Sequence, residues 1–400
     1  MKKILALLLV LAMVLSLGAC AGPEEISSQV GGDGAAVSGN EGGGTSGESL
    51  HRPLSIYNAQ KEEIGKIEYD GMITPTSGGF VYMKTGASET EWEFHLYTFA
   101  TGESVKLGSV QNLYMRPFHG VVLQNHLFTF VVTMEGEEPV SRLMDLDLGS
   151  HTMSELYSEA GSFYYNSMVS DGDRLLFVKV MANESRLEEY NLSTKEKKVL
   201  KSFPFDDAKG LGESVRCVYT DGDTVSLLLM VKETEDSVQL RVDVYDKDMK
   251  FLESRDVTGI SDREDELLQR IDSFVYSDGL LYYQNISSTR FFGRVTDTGL
   301  EKYMDVDIVH KMAYDAAQNP DTRLLFCCAN ESNALYLLDM KTGDVRESSF
   351  FAEDRNYQFL NIFRDTNGSL LIVMAGRDPS TGQKLPYRLY YVSESDLHFS

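Results

Sequence analysis

The sequence predicts an all-β fold made of seven consecutive four-stranded antiparallel units. Three observations predict it. Apolar residues recur with a period of two through most of 51–400, while long helical periodicity is nearly absent. A turn of the Asp/Asn-Gly kind returns repeatedly between two apolar runs. The whole order of strand, turn, strand, break, strand, polar turn and closing strand can be laid over itself along the chain.

The middle turns with their following strands are "SGGFVYMK" (77–84), "QNHLFTFVV" (124–132), "SDGDRLLFVKV" (170–180), "TDGDTVSLLLMV" (220–231), "SDGLLYYQN" (277–285), "NPDTRLLFCCA" (319–329) and "TNGSLLIVMA" (366–375). Third strands with their turns follow each, as in "HLYTFATG" (95–102) and "LYLLDMKTG" (335–343). Asp171, Asp221, Asp278, Asp321 and Asn367 lie 50, 57, 43 and 46 residues apart, close to the roughly 40 to 50 residues of one four-stranded repeat. The pattern resembles a seven-bladed β-propeller of four-stranded antiparallel blades, in which each blade buries both faces against its neighbours. A pair of β-sandwiches is the competing all-β arrangement, but sandwiches do not repeat a four-strand sentence. The last unit ends at "RLYYVSESDLHFS" without a fourth strand, whereas 54–71 opens the domain with a strand, a turn and a strand. One of these N-terminal strands is therefore expected to complete the last blade, since an unpaired edge would leave the ring open.

Ahead of the domain, residues 1–20 carry Lys2 and Lys3, an apolar run from Ile4 to Leu17 and a small-residue end, the layout of a secretory signal too short to span a bilayer. Leu17-Gly18-Ala19-Cys20 resembles the lipobox of bacterial lipoproteins. That resemblance implies lipidation of Cys20, cleavage before it, and a membrane anchor, because each buried methylene contributes about 0.8 kcal/mol. Residues 21–50 are Gly/Ser-rich with almost nothing to bury, and they are expected to form a flexible, disordered linker with a reach of roughly 30 Å. The expected organisation is a signal peptide at 1–20, a linker at 21–50 and the propeller at 51–400. The expected location is the cell membrane, lipid-anchored and extracytoplasmic. The outer face of a single-membrane cell is favoured over a periplasmic or outer-membrane place in a two-membrane envelope.

With 61 acidic against 37 basic residues and a formal net charge of -24, the chain lacks the clustered cations that a nucleic acid or an anionic lipid surface requires. Besides Cys20 there are Cys217 and the neighbours Cys327 and Cys328. Adjacent strand residues point to opposite faces, so buried thiols are expected and not a disulfide framework.

In a propeller the turns between first and second strands share one side with those between third and fourth. Here these are short. The second-to-third and blade-to-blade segments read as long loops, among them 84–93, 134–140, 232–238, 376–386, 202–214, 259–270 and 350–358. Binding residues ride on such loops over a rigid scaffold, so that side is the expected working face, with Trp92, Asp206, Asp207, Asp262, Glu264, Arg355, Tyr357, Arg377 and Asp378 as candidate exposed residues. Ser261 and Glu264 have capping-box spacing and predict a short helix over 262–270. Trp92, the only tryptophan, suits either a ligand anchor or packing between blades. Early in the innermost strands, Arg116, Asn166, Arg216, Asp272 and Asn361 are polar where packing alone asks for apolar residues. They suit a ligand or ion on the axis, or a water-filled channel.

Some chemistry is missing. The seven histidines form no HxxxH or HExxH pair, and there is no G-x-S-x-G elbow. Asp145/Asp147 and Asp246/Asp248 sit where turn-initiating aspartates belong. The repeated Asp box of sialidases is absent, and a single tryptophan departs from quinoprotein and WD-repeat docking motifs. No metal or other cofactor is expected. The leader and the repeat together resemble bacterial lipoproteins with propeller domains, which include assembly scaffolds. The resemblance implies a monomeric, non-enzymatic module that binds a protein, peptide or glycan. The alternative is a glycoside hydrolase or lyase with axial carboxylates.

Overall fold

The computed structural model describes residues 52–400 apart from 71, 89, 116, 118–119, 162–163, 182, 207–210, 235–236, 261–270, 286–289, 304–308, 315–322, 329–332, 340–341, 343 and 366. Cys20, the linker and the helix expected over 262–270 lie outside these residues.

The described chain is all-β. After β1 (Arg52–Tyr57) and β2 (Glu63–Tyr69) it forms a series of antiparallel meanders. The first is β3 (Ile73–Thr76), β4 (Gly79–Thr85), β5 (Glu91–Thr98) and β6 (Glu103–Gln111). In the second, β7 (Leu113–Met115) and β8 (Gly120–Leu123) share the edge of β9 (His126–Glu135), followed by β10 (Glu138–Asp147) and β11 (Thr152–Ala160). The third and fourth are β12 (Tyr164–Asp171), β13 (Arg174–Val180), β14 (Glu184–Asn191) and β15 (Lys197–Asp206), then β16 (Leu211–Thr220), β17 (Thr224–Thr234), β18 (Ser237–Asp246) and β19 (Phe251–Asp256). They join into an eight-stranded sheet only through Phe205 opposite Gly212 and Asp206 opposite Leu211. The fifth is β20 (Ile271–Ser277), β21 (Leu280–Asn285), β22 (Arg290–Thr296) and β23 (Gly299–Lys302). The sixth is β24 (Val309–Tyr314), β25 (Arg323–Cys328), β26 (Leu335–Asp339) and β27 (Asp344–Ser348).

The last sheet runs β2-β1-β30-β29-β28, with β28 (Tyr357–Arg364), β29 (Leu370–Arg377) and β30 (Lys384–Val392). The two ends of the described residues thus share a sheet, as the sequence suggested, but this sheet departs from the expected four antiparallel strands. It has five, and β1 runs parallel to β30, with Leu54 opposite Tyr387 and Tyr57 opposite Tyr390. The topology gives the reason. A chain that enters along β30 in the same direction must be followed by a returning strand before it can start β3 at the proper end, and β2 is that strand.

Adjacent meanders meet through side chains. Val81, Phe94 and Leu96 of the first pack on Leu127, Val131 and Leu146 of the second, and Phe130 and Leu143 of the second on Leu175 and Phe177 of the third. Leu176 and Phe203 meet Val215 and Leu227, Leu240 and Val242 meet Phe274 and Tyr283, and Leu335 and Leu337 meet Phe359 and Ile372. The last sheet returns to the first: Leu54, Ile56, Leu371 and Val373 lie in one cluster with Phe80, Tyr82 and Tyr97. Among the described residues no sheet closes on itself by hydrogen bonds. Serine hydroxyls, buried at Ser185 and Ser226 and half-buried at Ser167, add polar stitches between meanders. Ser167 Oγ donates to the Val218 carbonyl (3.0 Å), Ser226 Oγ donates to the Tyr276 carbonyl (3.2 Å), and Ser185 Oγ accepts from the Val215 amide (2.8 Å). A serine can occupy such a dry interface because its polar atoms find backbone partners there.

Candidate functional site

The first strands of the meanders share a feature that period-two patterning does not encode. In six of the seven meanders the register slips by one residue, leaving an extra residue at Tyr114, Asn166, Arg216, Asp272, His310 and Leu360. A bulge of this kind bends the strand, increases its twist and re-aims a side chain. Three of the residues singled out for the axis, Asn166, Arg216 and Asp272, are themselves bulge residues, and Asn361 directly follows Leu360. Arg116 lies outside the described residues, and at Asn166 and Asp272 only the strand course is described. Arg216 is half-buried. Loss of water pushes its guanidinium below the usual range, while Cys217 and Tyr283 pull the other way. Tyr114, half exposed at 50%, and Leu360 carry no charged or amide group that would mark them in the sequence as axis residues. Spacing would have helped: Asn166 and Arg216 each precede a turn aspartate, Asp171 or Asp221, by five residues.

The residues proposed for the long-loop side divide. Arg355 and Arg377 are exposed. Asp378 organises a turn, its Oδ1 accepting from the Ser380 hydroxyl (2.6 Å) and amide (2.8 Å), which hold its carboxyl below the usual range. Trp92, on β5, packs half-buried against the cluster between the first two meanders. Tyr357, expected at the surface, is instead buried, because the Arg388 guanidinium lies 4.0 Å over its ring and Asn333 Nδ2 donates to its carbonyl at 2.7 Å. Asp206 ends β15 beside Leu211, with its side chain undescribed. Asp207, Asp262 and Glu264 lie outside the described residues. Two segments expected as long loops are hairpin tips: Glu135 pairs with Glu138, and Thr234 with Ser237. Their Val and Thr residues favour extension enough to carry the ladder nearly to the tip.

Of the aspartates read as turn initiators, Asp147 and Asp246 do that work, whereas Asp145 lies within β10 with its Oδ1 2.7 Å from His126 Nδ1. Asp147 Oδ1 accepts from the Gly149 and Ser150 amides (2.9 and 3.0 Å), and Asp246 Oδ1 from those of Asp248 and Lys250 (3.0 and 2.9 Å). Cys217 is a buried thiol outside any disulfide, whereas the side chains of Cys327 and Cys328 are not described. Among the described residues no group of three His, Cys, Asp or Glu side chains is placed to hold a metal ion.

A groove of about 390 Å³ opens between the fourth and fifth meanders, on the side of the tight turns. Val244, Leu252 and Tyr276 supply its apolar surface, and Asp221, Glu253 and Asp278 its carboxylates. Asp221 is held from several directions, by the Thr224 and Asp223 amides (2.8 and 3.1 Å) and the Ser277 hydroxyl (2.9 Å). Partial burial works against its ionised form, but these donors prevail and its carboxyl sits below the usual range.

No protein-family model matches the chain, and no curated protein sequence matches it. Among solved structures the all-β fold has propeller neighbours. The chain is similar to the β-propeller domain of the Trilobed protease from Pyrococcus furiosus (12% identity, 79% of this chain and 94% of that chain, TM-score 0.47). It is also similar to an oligogalacturonate lyase from Vibrio parahaemolyticus (12% identity, 82% and 89%, TM-score 0.46). Neither similarity carries an argument about what this chain does.

Proposed function

We propose that the seven meanders form one closed seven-bladed β-propeller, tethered through a lipid on Cys20 outside the cytoplasm, and that it is a non-enzymatic module binding a protein, peptide or glycan. The observation that carries this reading is the contrast between the two ends of the sheets. One end is finished with tight, internally hydrogen-bonded turns such as that of Asp221. The other carries the projecting hairpins at 135–138 and 234–237, the 378–383 connection with its neighbour Arg377, and the 349–356 connection with Arg355. Interlocked sheets hold such segments still while leaving their side chains free for a partner. The meeting of the fifth and sixth meanders, needed to complete the ring, is part of the proposal.

The test has two arms. Cys20→Ser should abolish labelling by a radioactive fatty acid and release the protein from the membrane fraction. The 51–400 domain should then capture a partner from envelope extract, with capture lost on Arg355→Glu plus Arg377→Glu and retained on Asp278→Asn. Capture indifferent to the arginines would overturn the choice of face, and turnover of a polysaccharide panel that disappears on Asp272→Asn would replace the binder with an enzyme.

A further inference from the structure

Beyond Val392 the chain leaves the last sheet and crosses to the sixth meander. Ser393 caps a 3-10 turn over Glu394–Leu397, with the Asp396 amide donating to Ser393 Oγ (3.3 Å) and the Ser393 amide to Asp396 Oδ2 (2.7 Å). Glu394 stays with the last sheet, 3.4 Å from Arg364. Leu397, 1% exposed, enters the cluster that Leu335 and Leu337 of the sixth meander share with Phe351 and Tyr390. Its carbonyl accepts from the hydroxyl of Ser348, itself fully buried on β27. His398 then turns the backbone at a φ of 48°, and Glu347 and Ser400 exchange both backbone hydrogen bonds (3.1 and 3.0 Å).

That exchange is the pattern of an antiparallel strand pair. The peptide groups of Glu347 therefore face away from β26, and residues 393–400 cover part of the open row of donors and acceptors that an outermost strand presents. The cover stops at Glu347. Two residues earlier, Val345 turns its peptide groups to the same side and is 51% exposed.

We infer that the outer edge of β27, with the leucine socket beside Ser348, is a peptide-docking site filled in cis by residues 393–400. Its ligand in trans is an extended segment that places a leucine in the socket. The mode is strand addition, in which ladder bonds give affinity and the socket gives specificity. The cis segment makes two ladder bonds with Glu347, and Leu397 is its one fully buried side chain, whereas Ser395 and His398 stay exposed. So short an attachment opens as a local unit, without the meander beneath it. A ligand that continues past the position of Ser400 also pairs with Val345, and so displaces the shorter ladder. The site uses neither Arg355 nor Arg377, so it and the function proposed above can fail separately.

Leu397→Asp in the full-length protein, held in detergent micelles, puts a charge into the dry socket and expels the cis segment. Fluorescent acetyl-Ser-Glu-Ser-Asp-Leu-His-Phe-Ser-amide is titrated into it and followed by anisotropy. The peptide should bind the variant at least about tenfold more tightly than the unaltered protein, whose site is occupied. The same peptide with aspartate in place of leucine should not bind, and extension by two valines should tighten binding by about threefold or more. Equal binding to the two proteins, binding of the aspartate peptide, or no gain from extension overturns the proposal. Hydrogen exchange on the unaltered protein tests it without a variant. After correction for intrinsic rates, the Glu347 amide, closed only by Ser400, should exchange at least about tenfold faster than that of Arg346, which faces β26. Equal rates, or a sixth meander that unfolds in Leu397→Asp, would show that the segment leaves only when the meander does, and would overturn the proposal as well.

Discussion

Phe99 and Tyr391 stack with their ring centroids 3.7 Å apart and their planes 8° from parallel. Phe99 follows β5 in the first meander and Tyr391 sits on β30 in the last sheet, so this contact spans almost the whole described sequence. With Asn367 Nδ2 donating to Ser77 Oγ (2.7 Å), it fastens the last sheet to the first. Phe99 also lies 5.7 Å from the rings of both Phe80 and Tyr97, so the stack belongs to the cluster shared by the two sheets. A double-mutant cycle on Phe99→Leu and Tyr391→Leu, read by urea unfolding, should give a coupling of about 0.5–1.5 kcal/mol. Additive losses would mean that the two sheets do not rely on each other.

The parallel entry of β1 has its own fastening. Asp354, 7% exposed, forms an ion pair with Arg388, accepts from the Tyr390 hydroxyl (3.2 Å) and lies 3.5 Å from Lys61 Nζ. Arg388 in turn lies between the rings of Tyr57 (5.5 Å) and Tyr357 (4.0 Å). Replacing Arg388 by Met leaves a buried carboxylate with its strongest partner gone, and should cost about 3 kcal/mol. Lys61→Met touches a half-exposed partner and should cost less than about 1 kcal/mol. Chemical denaturation of both variants checks the ranking, and equal losses would show that Lys61 carries the clasp.

How far the sequence speaks can be seen at particular residues. The Asp-Gly pairs at 171–172, 221–222 and 278–279 mark hairpin turns that the structure places where expected, with φ of 60°, 92° and 75° at Gly172, Gly222 and Gly279. The alternation of Leu54 and Ile56, both fully buried, identified a strand but not its direction, because parallel and antiparallel ladders require the same alternation. Bulges were invisible for a related reason. One extra residue in an edge strand changes which side chains oppose one another without changing composition, and Tyr114, Arg216 and Leu360 share no chemical property. The candidate site was least legible of all. Tyr357 looks like a surface aromatic in the string 350–358, and only the folded chain brings Arg388 over it.

The bulges themselves can be tested by length. Removing Arg216 outright should do more harm than changing its side chain. Deletion restores strict alternation, so the residues before position 216 exchange faces, and Val215, fully buried between the third and fourth meanders, turns away from its core. Losing the burial of one such side chain costs about 1.5–3 kcal/mol. The deletion should therefore exceed Arg216→Ala by at least about 1.5 kcal/mol in urea unfolding. Equal effects would mean that the strand absorbs the missing residue and that the slip has no role in setting the faces.

Acid should loosen the first meander through Glu93. Burial alone would raise its pKa, but hydrogen bonds from Lys106 (2.7 Å) and His95 (2.9 Å) win and hold it at about 2, against an ordinary value of 4.5. A folded pKa below the unfolded one means that the unfolded chain takes up the proton first. The stabilisation is thus complete above pH 4.5 and is lost as pH falls through the window down to about 2. Lys106 is 43% exposed, so solvent screening reduces the contribution to about 1 kcal/mol. Glu93→Gln should lower stability by that amount at neutral pH and converge with the unaltered protein near pH 2, as followed by thermal melts across the acid range. Parallel melting curves with a constant offset would show that Glu93 acts through packing and not through its charge.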